Sequence, residues 1–245
     1  MKYTSLILTF LFMIAMPAQA QDTISTDRPD FTESPATVQQ GTVQGEFGFT
    51  QQTMGDASSS VVGEGLVRYG LKEALELRVG VPSHISGDGM DGGLSDASLG
   101  FKWTFGRFGD AGMAALITTI TLPTGDDLYT SDEVEPGFIL VAGQPLTDRL
   151  GIAAQVSASF LKLDDEWKGS YMATAVVSGG VVSNLSAFGE LRFDAPPLGA
   201  DEQAVLHTGV TWLFSDDLQV DAHVGFGITD DAPDSFFGFG VAFRR

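Results

Sequence analysis

Leu75-Glu76-Leu77-Arg78-Val79-Gly80-Val81 alternates apolar residues with polar or small ones, and a period of two marks a β-strand with two unlike faces. The pattern recurs outward from this stretch. Ala97, Leu99, Phe101, Trp103 and Phe105 interleave with Asp96, Ser98, Gly100, Lys102 and Thr104, and Leu218, Val220, Ala222, Val224, Phe226 and Ile228 with Gln219, Asp221, His223, Gly225 and Gly227. About twelve such segments can be counted, near 43–53, 61–71, 74–81, 95–106, 112–122, 136–143, 150–162, 169–179, 185–193, 203–214, 218–228 and 235–243. Their lengths average about ten residues, which is what a tilted strand needs to cross a bilayer.

The connections have a rhythm of their own. Short turns at 71–75, 108–112, 146–150, 182–185 and 214–218 alternate with longer Gly-, Pro- and Asp-rich loops at 82–94, 123–134, 162–168, 194–202 and 229–234. An up-and-down barrel of even strand number, with short turns on the periplasmic side and long loops outside, requires this alternation. A three-residue turn at 215–217 points Phe214 and Leu218 outward and sets Trp212 opposite Val220, Val210 opposite Ala222 and Gly209 opposite His223. A similar turn at 72–74 sets Arg68 opposite Arg78 and diagonal to Glu76, a like-charge pairing that needs carboxylates nearby.

A soluble β-sandwich also alternates. The N-terminus favours the barrel: Lys2, an apolar run from Leu6 to Met16 and Ala18-Gln19-Ala20 read as a secretory signal peptide over residues 1–20, leaving Gln21 as the new N-terminus. No later stretch approaches the roughly twenty apolar residues of a spanning helix. The chain is 43% hydrophobic and 18% charged, with 18 Phe, 30 Gly and no Cys among 245 residues, so it must bury or embed a large apolar surface without disulfides. A net charge of −19 argues against nucleic acid as a partner. The expected organisation is a signal peptide (1–20), an N-terminal periplasmic or lumen-plug segment (21–42) and an all-β, transmembrane, up-and-down antiparallel β-barrel of about twelve strands (43–245).

Thr26-Asp27-Arg28-Pro29-Asp30-Phe31-Thr32-Glu33-Ser34-Pro35 resembles a motif of the outer-membrane transporter family associated with the MetA pathway of phenol degradation. Leu66-Val67-Arg68-Tyr69-Gly70-Leu71, Leu94 to Lys102, Thr121-Leu122-Pro123-Thr124-Gly125, Leu218-Gln219-Val220-Asp221 and Ala232-Pro233-Asp234 carry the resemblance along nearly the whole mature chain. It implies a barrel and a channel role, and the family name suggests aromatic cargo. The chain departs from the usual pattern at its C-terminus, where Arg244-Arg245 follow Phe243.

On the expected inward face fall Glu46, Glu64, Arg68, Glu76, Arg78, Asp96, Lys102, Glu190, Arg192, Asp221 and His223. Such charges would be prohibitive in an apolar core; in a barrel they line a pore or form a salt-bridged network around a plug. Twelve strands tilted by about 40° enclose a backbone diameter of about 24 Å, which side chains narrow to roughly 10 Å or less. Asp27, Arg28 and Asp30 are the plug candidates, entering the lumen or remaining in a periplasmic tail. His207 and His223 share the inward face of adjacent strands and His84 lies at the rim, but no hydrolase, metalloprotease or phosphate-loop motif accompanies them. The acidic loops 125–133 and 164–166 match no calcium-loop spacing. Tyr69, Trp103, Trp167, Tyr171 and Trp212 suit interfacial girdles. The expectation is a non-enzymatic outer-membrane channel for small solutes, with no cofactor or metal. Its partners would be outer-membrane lipid and lipopolysaccharide and the barrel-assembly machinery. The competing expectation is a structural or adhesive barrel with an occluded lumen.

Overall fold

The computed structural model describes residues 23–163, 165–197 and 201–245; the expected signal peptide and Gln21 lie outside them. Among these residues the strands are β1 (Val43–Met54), β2 (Ala57–Lys72), β3 (Leu75–Val81), β4 (His84–Gly87), β5 (Met90–Leu94), β6 (Ala97–Phe108), β7 (Gly112–Leu122), β8 (Glu135–Pro145), β9 (Leu150–Leu163), β10 (Glu166–Val182), β11 (Leu185–Ala195), β12 (Gln203–Ser215), β13 (Leu218–Gly227) and β14 (Ser235–Arg244). All pairings between them are antiparallel, and β1 bonds both β2 and β14. The sheet therefore closes on itself and leaves no free edge, as spanning strands require in a medium that offers no hydrogen bonds. Twelve strands form the wall. The β4–β5 hairpin extends it at the long-loop end, where β4 pairs with Ser59–Val62 of β2.

The alternation of side chains gives the wall its two environments. Leu99, Phe101, Trp103 and Phe105 on β6 are 38–47% exposed on the outside, while Lys102 and Thr104 between them are buried within. Tyr69, Trp103 and Trp212 stand outward near the short-turn end, and Trp167 and Tyr171 near the long-loop end, forming two aromatic belts at opposite ends of the apolar band. The interior inverts that of a soluble domain: Arg68, Lys102, His207, Gln44, Glu46, Glu76 and Glu190 are among the largest fully buried side chains.

Several local expectations change. The 82–94 loop contains the β4–β5 hairpin. The 162–168 loop is replaced by a tight connection, because β9 and β10 run to 14 and 17 residues and pair as far as Glu166 with Leu163; Asp164 lies outside the described residues. β2 begins at Ala57, so a two-residue turn joins it to β1 on the side expected to carry only longer loops. The turns at 72–74 and 215–217 have two residues each, Glu73-Ala74 and Asp216-Asp217, with an extra residue bulged beside them at Leu71 and Phe214. A bulge takes up one residue without shifting the pairing beyond it. Arg68 therefore still lies opposite Arg78, Trp212 opposite Val220 and Gly209 opposite His223.

Candidate functional site: the occupied lumen

The N-terminal segment, Thr23 to Thr42, threads into the barrel. The Ile24 N–H donates to Asp216 O on the β12–β13 turn at 2.7 Å, and Thr37 Oγ1 donates to Glu73 O on the β2–β3 turn at 2.7 Å. The segment thus enters and leaves at the short-turn end, and the residues between form a loop inside the lumen.

Asp27 is the centre of its attachment. Its carboxylate meets Arg78 Nη1 at 2.5 Å, Lys102 Nζ at 2.8 Å and Arg68 Nη1 at 3.3 Å, and it accepts the Ser34 N–H at 2.9 Å. These three cations come from β3, β6 and β2, whose register places Arg68 opposite Arg78 and Glu76 opposite Lys102. Like charges at this distance repel, and the carboxylates that offset them come from wall and segment together. Glu46 and Glu76 of the wall bind Arg68 at 2.9 Å each, and Glu33 of the segment binds Arg78 at 2.9 Å. Burial alone would raise the Asp27 pKa, but Arg68, Lys102 and Arg78 together hold it well below the usual carboxylate range.

Arg28 reaches across β1 and β14 to the strands on either side of them, β2 and β13. It binds Glu64 at 2.7 Å and Asp221 at 3.3 Å, while its backbone N–H and that of Asp27 donate to Glu46 at 3.1 and 3.0 Å. Glu64 reaches Arg28 from a bulge between β1 and β2, where its φ is 36°, a left-handed value that costs a non-glycine residue about 1–3 kcal/mol. Glycine makes the socket: a Cβ on Gly48 or Gly240 would stand 2.2 or 2.4 Å from the Arg28 guanidinium. Arg28 Nε and Asp221 Oδ2 are buried without a hydrogen-bond partner among the described residues, so this attachment is weaker than the one at Asp27. The segment is thus charge-complementary to the wall, with carboxylates facing the Arg68–Arg78–Lys102 arc and a guanidinium facing Glu64 and Asp221.

A third attachment joins a carboxylate to a cluster of aromatic rings. Glu190 accepts the backbone N–H groups of Phe31 at 2.9 Å and Thr32 at 2.8 Å, the Thr32 hydroxyl at 2.6 Å and His207 Nδ1 at 2.8 Å. With that Nδ1 donating to a carboxylate, His207 Nε2 accepts from His223 Nδ1 at 3.0 Å. Phe31, Phe188 and Phe236 pack around the His207 ring at centroid distances of 4.7–5.2 Å. Gln155 clamps the segment's backbone, accepting from Glu33 N and donating to Phe31 O.

Of the residues expected inside, Glu46, Glu64, Arg68, Glu76, Arg78, Lys102, Glu190 and Asp221 therefore meet one another or the segment, and His223 meets His207 of the neighbouring strand. Arg192 lies apart, bonded to Asp194 at 2.7 Å with its guanidinium 4.2 Å over the Phe31 ring. Asp96, expected on a strand, sits in the break between β5 and β6. There it accepts the N–H groups of Thr124 and Gly125 at 2.8 and 2.7 Å and holds the following loop. His84 is exposed at the β4–β5 hairpin. Asp30 contacts none of the lumen cations and borders a cavity. Glu33, Gln44, Gln155 and Thr32 were not anticipated. Gln44 is on the inward parity and could have been found that way, but nothing in sequence marks which loop residues face which wall. Above the network the inward positions carry hydroxyls, among them Thr50, Ser98, Thr119, Ser157 and Ser159.

The family model described as "Putative MetA-pathway of phenol degradation" matches residues 26–244. The chain belongs to this family. Among solved structures it is similar to the COG4313 outer membrane channel from Pseudomonas putida F1, with a TM-score of 0.66 and 15% identity over 86% of this chain and 97% of that one. The KdgM porin has a TM-score of 0.58 at 10% identity and the NanC porin 0.57 at 8%, each covering 82% of this chain and 98% of its own. At these identities the likeness is one of fold, a closed β-barrel of the outer-membrane porin type. No curated protein matches the chain.

Proposed function

We propose that this family member is a non-enzymatic outer-membrane channel for small solutes, whose N-terminal segment is a plug that narrows the lumen. The observation that carries the reading is how the plug is held. It is anchored by hydrogen bonds and ion pairs to a wall of matching charge, with a polar lumen continuing above it. None of these contacts belongs to the closed ladder of strand hydrogen bonds, so the plug can shift and the path can widen without unfolding the barrel. Signal-directed export and assembly among outer-membrane lipid and lipopolysaccharide belong to the same proposal.

Small aromatic compounds are a second candidate cargo, suggested by the family's description and supported by the lumen-facing patch of Phe31, Phe188 and Phe236. The KdgM porin has been solved with oligogalacturonate, and the two-signed wall here suits polar solutes better than purely apolar ones. Planar-bilayer conductance and liposome swelling, measured on the whole mature chain and on a variant lacking residues 23–38, test the proposal. A small conductance that rises on deletion is expected. A barrel that passes neither ions nor small solutes in either form would overturn it in favour of an occluded structural or adhesive barrel.

A further inference from the structure

Between the plug and the wall of β9–β13, at the short-turn end, lies a cavity of about 270 Å³. The plug contributes Asp30, and the wall contributes Ser178, Ser186, Thr211 and the Phe188 ring. Other polar groups on its border are already engaged: Gln219 Nε2 donates to Thr26, Arg28 is taken by Glu64 and Asp221, and Glu33 by Arg78. Unlike Asp27, Arg28 and Glu33, Asp30 has no oppositely charged partner among the described residues. The hydroxyls of Ser178, Ser186 and Thr211 have no hydrogen bond within the described chain. Partly buried polar groups are ordinarily satisfied, and here the carboxylate of Asp30 and the hydroxyls of Ser186 and Thr211 converge on one space, with the more exposed Ser178 hydroxyl at its border and an aromatic wall beside them.

We propose that this cavity is a binding site for a small organic cation, with Asp30 pairing its ammonium, the three hydroxyls completing the hydrogen bonds and Phe188 covering its short apolar part. The volume lies just below the range of about 300–1,000 Å³ of pockets for drug-sized ligands, which sets the size of the solute. Anions are disfavoured because Glu190 of β11 and Asp27 and Glu33 of the plug add negative potential around Asp30, while the nearby Arg28 is already neutralised. Burial first, and then repulsion from Glu190, holds the Asp30 carboxyl well above the usual carboxylate range. An arriving cation reverses that balance, so binding releases a proton and strengthens as pH rises. As a station on a solute's route the cavity rests on the channel reading; the binding itself does not.

The test is calorimetric titration of the whole mature chain, refolded in detergent, with propylammonium, propionate and 1-propanol. Saturable propylammonium binding is expected, with propionate and propanol at least about tenfold weaker. Asp30→Asn should weaken propylammonium by about tenfold or more and Asp30→Glu should retain it, both variants keeping heat-modifiable migration on gels as a check of folding. Affinity should rise with pH in wild type and stay flat in Asp30→Asn. Equal binding by Asp30→Asn, a preference for propionate, propanol binding as tight as propylammonium, or no binding at all would each overturn the inference. Conductance is read separately: a conducting barrel that ignores propylammonium sinks this site and leaves the channel, whereas a silent barrel that binds it does the reverse.

Discussion

Asp27→Asn removes one charge and almost no volume, and it strikes the plug where attachment is densest. The carboxylate is surrounded by Arg78, Lys102 and Arg68 at 2.5, 2.8 and 3.3 Å, all with side chains at most 5% exposed. The amide can still accept the Ser34 N–H, so the loss falls on the ion pairs. Removing one partner of a buried charge pair costs about 3–5 kcal/mol, because the other is left without compensation. Here the three cations would keep Glu46, Glu76 and Glu33, which places the cost toward the lower end, about 3 kcal/mol. At about 1.4 kcal/mol per tenfold, plug docking weakens by roughly a hundredfold. Single-channel recording reads this as larger or more frequent open levels. Since the chain has no cysteine, Ser34→Cys offers a second readout, labelling by a maleimide in the Asp27→Asn background much faster than alone. Unchanged current traces together with unchanged labelling would refute the idea that Asp27 holds the plug.

Acid should loosen the plug in the same way. The Asp27 pKa is depressed when docked, so its contribution is complete above the ordinary value near 3.8 and is lost as pH falls through the lower, docked value; conductance should rise below about pH 4 and Asp27→Asn should lack that step, whereas Glu33, raised to about 7, and Asp30, also raised, firm the docking as pH falls from neutral toward about 5. Gly70→Ala should displace the plug's exit, because a Cβ there would stand 2.1 Å from the backbone oxygen of Gln39, which cannot swing away as a side chain would; limited proteolysis near residues 38–41 would reveal it, and wild-type resistance would contradict it. On the wall, Leu140→Arg places a charge on the outward face of β8, where Leu140 is 47% exposed, and should cost about 2–4 kcal/mol in refolding titrations near the midplane. Ser157→Arg, on the inward face of neighbouring β9, should cost much less; equal costs would mean that the two faces have been exchanged.

The wall was largely legible in sequence because its information is local. Each strand announces its faces through a period of two, and a hairpin's register follows from which apolar residues must share a side. That is why the Arg68–Arg78 and Trp212–Val220 pairs could be placed even though both turns were one residue shorter than expected. Alternation also marked Glu46, Lys102 and Glu190 as inward. It carried no information about what fills the lumen. Thr23–Thr42 has no periodicity, and Asp27 and Asp30 look equivalent in sequence, yet one meets three cations and the other none. Their difference arises from the path of a loop through a space defined by strands as distant as β1 and β13. The same limit explains Asp96, where alternation continued on paper across a break in the backbone.

The spread of the plug's partners also orders events in time. Asp27 and Arg28 bind groups from Glu46 to Asp221, the last 193 positions along the chain from Arg28. Glu46, Glu64, Arg68, Arg78 and Lys102 share the neighbouring strands β1, β2, β3 and β6, but Asp221 on β13 and Glu190 on β11 come round to the segment's other side only when β1 has met β14. The segment therefore docks in full only after closure, since its complete set of partners exists only in the sealed cylinder. A sheet of β1, β2, β3 and β6 alone would hold Asp27, whereas Arg28 would keep only Glu64, and Phe31 and Thr32 would lack Glu190. Full docking of the segment then reports completion: a barrel that has failed to seal would hold it at Asp27 and leave its aromatic half, Phe31 and Thr32, without a partner.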